Sequence, residues 1–108
     1  MSSEIEMARA NRFRFLKLLY DKSGGDEMKW FSMWKIGEEL GLDHDDAVKI
    51  VQYLTGEYLI ESRGLGGIIG ITHQDVVTME EALSNPSQST KYFPPVDKIK
   101  KDKDEETI

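Results

Sequence analysis

The chain has no cysteine among its 108 residues, which removes disulfides, thiolate nucleophiles and cysteine-based zinc sites. No apolar run approaches the length needed to cross a bilayer. The opening Met1-Ser2-Ser3-Glu4 lacks the basic stretch and apolar segment of a signal peptide. A soluble cytoplasmic protein with no membrane contact is therefore expected. Cations are also short: 14 Lys and Arg stand against 20 Asp and Glu, a formal net charge of −6. What remains is ordinary for one globular domain with a modest core, at 39% hydrophobic and 31% charged.

The acid is not spread evenly. Residues 1–22 carry five Lys and Arg against three acids, whereas residues 23–62 carry three Lys against nine acids. Arg63 faces three acids in residues 63–84, and the last segment balances five Lys with five acids. The middle of the domain is thus the acidic part.

From Glu4 to Lys22 the spacing of Ile5, Ala8, Phe15, Leu16 and Leu19 predicts a helix with one apolar arc. Phe13, Leu18 and Tyr20 widen that arc beyond a single core face, which implies either tight burial or a second apolar contact such as a dimer seam. Ser23-Gly24-Gly25-Asp26 ends it. Met28-Lys29-Trp30-Phe31 reads as a short edge strand, and Trp30 or Phe31 is expected to plug the core. Ser32 caps a second helix through Leu40, with Trp34, Ile36 and Leu40 as apolar positions. After Gly41, Asp43 caps a third helix with Asp46 at capping-box spacing and Ala47, Ile50, Val51 and Leu54 on its core side.

Beyond Glu57 the period changes. Tyr58–Ser62 and Gly67–Ile71 are short β-prone runs joined by Arg63-Gly64-Leu65-Gly66, a hairpin signature. Thr72 caps a fourth helix with Asp75 three residues on and Val76, Met79 and Leu83 on its apolar side, closed by Asn85-Pro86. Then come Tyr92-Phe93-Pro94-Pro95, two aromatics leading into a rigid extended pair, and a charged end from Asp97 that is expected to be disordered. The two rings are expected to pack back on the domain as a clasp; the other reading is a docking peptide.

This order of helix, short strand, helix, tight turn, helix, hairpin and helix resembles the winged helix-turn-helix superfamily of small bacterial regulator-like proteins. The junction Gly67-Ile68-Ile69-Gly70-Ile71-Thr72-His73-Gln74-Asp75 is similar to that superfamily's passage from wing strand through Ile-Thr into the last helix. Asp75 stands where many members have glycine. The resemblance implies an α+β, mainly helical fold with a three-helix core, a short first strand, a β-hairpin wing and a C-terminal fourth helix. It would occupy residues 1–85, with residues 86–108 as a polar tail holding the aromatic-proline segment.

The resemblance further implies a non-enzymatic DNA-binding transcriptional regulator, working as a homodimer. In that reading the third helix enters the major groove. Lys49, Gln52, Tyr53 and, on the wing, Arg63 are then the DNA-contact candidates. Against it, Asp45 and Asp46 would lie beside phosphates, although affinity for DNA rests on cation–phosphate contacts. Low affinity for duplex DNA follows. The alternative is a protein-interaction adaptor on the same scaffold. Phe13, Leu18, Tyr20, Trp34, Tyr92 and Phe93 are the candidates for the dimer or partner interface.

Catalysis is not expected. Gly64-Leu65-Gly66-Gly67 sits between two strands rather than before a helix, so it makes a poor phosphate cradle. Glu38-Glu39 and Glu80-Glu81 are sequence neighbours that diverge on a helix. His44, Asp45, Asp46, His73 and Asp75 are dispersed over two helix starts, and neither a metal nor a cofactor is expected.

Overall fold

Helix α1, Ser2–Ser23, is the element on which everything else closes. It comes from a computed structural model that describes residues 2–99. Phe15, Leu16 and Leu19 are buried on its inner face, whereas Ile5, assigned by spacing to the same arc, is exposed near the amino end. The chain then runs through β1, Phe31–Ser32; α2, Met33–Glu39; α3, His44–Gly56; β2, Ile60–Gly64; β3, Ile68–Ile71; and α4, His73–Ser84. The class is α+β and mainly helical.

The caps fall where short polar side chains stand at helix starts. Ser32 accepts from the Lys35 amide, Asp43 from Asp46 and Thr72 from Asp75, so each satisfies one amide that the first turn leaves open. The edge strand is shorter and later than Met28–Phe31 suggested. Phe31 pairs with Ile69 and packs half-buried on the core, while Trp30 stays 60% exposed.

The three strands form one antiparallel sheet in the order β1-β3-β2. Ile60 pairs with Ile71, Glu61 with Gly70 and Ser62 with Ile69, before an irregularity between Ser62 and Gly64. Because side chains alternate across a strand, Ile69 and Ile71 face the core while Gly70 faces outward beside Arg63. The core joins these residues to Ile36, Ile50, Leu54, Leu59 and Met79.

The segment after Pro86 belongs to this core. Phe93 is fully buried, Tyr92 nearly so, and Val96 and Ile99 pack against the same cluster. Phe93 meets Phe13 edge-on with ring centroids 5.3 Å apart. Arg9 on α1 donates from Nη2 to the Thr90 carbonyl at 3.0 Å, and Asp97 donates its amide to Pro86 at 2.9 Å. Residues 86–99 are thus a strap, with one 3₁₀ turn at Val96–Lys98, and the domain does not stop at residue 85. Of the charged end, Asp97–Ile99 is ordered against the domain; the remainder of the expected disorder lies outside the described residues.

The strap, together with α4, accounts for the width of the apolar face on α1. Phe13 is only 6% exposed, so it is a core residue rather than part of an open dimer seam. Leu18 and Tyr20 are half-buried against the same core, and the Tyr20 hydroxyl reaches Glu80 of α4 at 3.4 Å. The second apolar contact exists, and the chain makes it with itself.

Candidate functional site

Three segments converge on one side chain, Trp34, in the first turn of α2. The hairpin is docked here by two contacts: Met33 donates its amide to the Gly67 carbonyl at 2.9 Å, and Trp34 Nε1 donates to the Gly66 carbonyl at 3.2 Å. Gly67 makes the approach possible. Its φ is +84°, and a Cβ there would stand 2.7 Å from Trp34 Nε1. On its other side the indole stacks on the imidazole of His44, the first residue of α3, with centroids 4.2 Å apart and planes 13° from parallel. Hairpin tip, α2 and α3 are therefore held at fixed relative positions.

Around this junction the surface is apolar in its middle and acidic at its margin. A shallow cleft of about 380 Å³ runs between α2 and α3, floored by Trp34, Gly37, Leu42 and Ala47 and edged by Glu38 and Asp43. Leu65 at the hairpin tip is 97% exposed. Asp45 and Asp46 are exposed on the first turn of α3. Asp43 has a structural duty in capping, whereas Asp45 and Asp46 make no ion pair among the described residues.

Lys49 and Gln52 are exposed on α3, where the spacing put them. Lys49 borders a second groove, between α1 and α3, that it shares with Asp46, Glu4 and Arg12. Tyr53 is half-buried, and the Arg12 guanidinium lies over its ring at 3.7 Å from the centroid. That face of Tyr53 is covered by its own chain.

Arg63 is the largest departure from the expected site. Its side chain is not extended from the hairpin toward a phosphate. It folds back across the outer face of the sheet, where Nη1 donates to the Glu27 carbonyl at 2.8 Å and Nη2 to the Ile71 carbonyl at 2.9 Å. Nε lies 2.9 Å from Glu61 Oε2, an ion pair without hydrogen-bond geometry. The guanidinium is mostly buried and neutralised in place, so Arg63, a DNA-contact candidate by its place on the wing, is held by its own chain rather than extended to solvent. The signal was present: a glycine inside a strand, Gly70, marks a close approach, and its register partner Glu61 supplies the counter-charge.

Tyr92 and Phe93, candidates for a partner interface, are strap residues buried against the domain and follow the clasp reading. Of the interface candidates, only Trp34 lies on the exposed junction. Sequence reasoning missed two members of that junction. His44 stands in the sequence only as one of a dispersed set of His and Asp at helix starts, and its stack on Trp34 depends on how α2 and α3 meet. Leu65 carries only a turn signal in the sequence.

Among the described residues, no three Asp, Glu or His side chains gather where a metal ion would be held, and no helix is long and apolar enough to cross a membrane. No family model, curated protein or solved structure matches this chain.

Proposed function

We propose that this is a non-enzymatic docking domain of the winged helix-turn-helix type, with α2 and α3 as the helix pair and β2–β3 as the wing. Its partner is a protein, and the docking face is the Trp34 junction. The observation that carries this reading is the sign and placement of charge: the hairpin's single arginine is withdrawn onto Glu27 and Ile71, Glu38 and Asp43 edge the cleft at Trp34, and Asp45 and Asp46 stay exposed on the first turn of α3. Duplex DNA requires cations along such a face. A protein segment with an aliphatic anchor flanked by Lys or Arg complements it, since an aromatic or aliphatic centre with a charged rim is the usual anatomy of such contacts. The domain acts as a single copy, because its own strap covers Phe13 and the core and α4 take up Leu18 and Tyr20 on the α1 surface that a dimer of the expected kind would use.

The second reading, a duplex-DNA reader, is favoured by one observation, the exposure of Lys49 and Gln52 along the same side of α3. The two separate in one pair of experiments. Selection from a display library of random twelve-residue peptides should enrich basic peptides with aliphatic anchors, and Trp34→Ala or Leu65→Asp should abolish their binding. Titration with mixed-sequence duplex DNA at low salt should give no saturable signal. Salt-sensitive micromolar DNA binding that disappears in Lys49→Glu would overturn the protein reading in favour of DNA.

A further inference from the structure

Asp75 is the most anomalous side chain in the domain. It is 0% exposed, and neither Oδ1 nor Oδ2 has a hydrogen-bond partner. Its place in the chain promises the opposite. As the third residue of α4, three beyond the cap Thr72, it stands where an acidic side chain ordinarily reaches back to the cap's own amide. Here that amide is taken: Thr72 donates it to the Leu59 carbonyl at 3.2 Å. The Thr72 hydroxyl is also engaged, donating to the Tyr58 carbonyl at 2.6 Å and accepting the Asp75 amide at 3.2 Å. Tyr58–Leu59 therefore clamps the start of α4 from outside and leaves the carboxyl inside without a donor.

An unpaired carboxylate in such a place is strongly disfavoured, and the group responds by holding its proton. Burial alone pushes Asp75 up to about 8. The groups around it offer an ionised form no relief. On α1, Tyr20 is itself raised, by burial first and then by Glu80, Asp75 and Asp21. On α4, Glu80 faces the Tyr20 hydroxyl. On the hairpin, Arg63 is committed to Glu61, Glu27 and Ile71. From the strap, Tyr92 presents only a hydroxyl, which accepts from Gln74 at 3.5 Å.

We propose that Asp75 is a proton-gated lock: neutral, it lets α4 seat on α1, and on losing its proton it loosens the amino end of α4 and the strap contact beside it. The sign follows from linkage. The folded protein keeps the proton to higher pH than the unfolded chain, whose aspartate ionises near its ordinary value of 3.8. The favourable contribution is complete below that value. It declines as pH rises and is gone above about 8, where both states are ionised.

The test is equilibrium unfolding of the full chain from pH 5 to 9, with Asp75→Asn as the near-isosteric neutral variant. Relative to Asp75→Asn, the wild-type folding constant should fall by up to about tenfold per pH unit between pH 5 and about 8, then level off. The exposed His44 and His73 are present in both proteins and cancel in the comparison. Backbone hydrogen exchange should show the first turn of α4 opening more above pH 8 in the wild type, with α3 unchanged. Parallel stability curves for the two proteins would overturn the proposal. Should Asp75→Asn fail to fold, the carboxyl-carbon NMR resonance of Asp75 in the wild type decides: titration near 8 supports the lock, and titration below 5 refutes it.

Discussion

The guanidinium of Arg63 lies so close over Gly70 that a Cβ on Gly70 would meet Arg63 Cζ at 2.7 Å. The two residues behave as one unit, in which the absent side chain on β3 is the room that the long one on β2 occupies. Gly70→Ala should therefore expel the arginine and cost about 1–3 kcal/mol, an overpacking effect. In an Arg63→Ala background the same substitution should be nearly silent. A double-mutant cycle read by urea unfolding checks this, and additive effects would disprove the coupling.

The contact between Phe13 and Phe93 makes a different kind of prediction. Phe93→Ala should cost about 3–5 kcal/mol, as for other buried aromatics. Phe13→Asp should unfold the domain, because it places an unpaired charge in the core rather than at a subunit boundary. Sedimentation combined with circular dichroism distinguishes the outcomes: a folded monomer obtained from a dimer would contradict the intramolecular assignment.

The acids of α3 divide into one that builds and two that face outward. Asp43→Ala removes the 2.8 Å bond to the Asp46 amide and should cost about 0.5–2 kcal/mol. Asp45→Ala should change stability by less than about 0.5 kcal/mol, as for an exposed surface position. Thermal denaturation of the two variants reads the difference directly.

Tyr58 is the only non-glycine residue with positive φ among those described, at +63°, and the residue is 76% exposed. A side chain in that conformation is strained by roughly 1–2 kcal/mol, against roughly 0.5–1 kcal/mol of extra chain entropy lost by a glycine. Tyr58→Gly should therefore stabilise the domain by about 0.5–1 kcal/mol in chemical denaturation. A loss of stability would mean that the ring contributes contacts of its own.

The helices and hairpin were legible because their signals are local. Ser32, Asp43 and Thr72 cap as their types and spacing suggest, and Ala47, Ile50 and Leu54 are buried as a 3.6-residue period requires. The candidate site was legible only in part, because its decisive facts are about direction and distance. Whether Arg63 points out or folds back depends on an empty position seven residues later on another strand. Whether Asp75 caps or is orphaned depends on the Leu59 carbonyl reaching the same amide first. Even the width of the apolar face on α1, plain in the sequence, did not say what would cover it.

The strap's place against α1 has a bearing on how the protein is made. Arg9 and Thr90 are 81 positions apart, and Phe13 waits for Phe93 across a similar interval. On a ribosome, α1 emerges before the strap and must stand with Phe13 uncovered until residues beyond 93 have cleared the exit tunnel. Closure is then a late, long-range event, the slow kind in folding. A nascent chain stalled short of the strap would display a sticky helix that chaperones or proteases are suited to find.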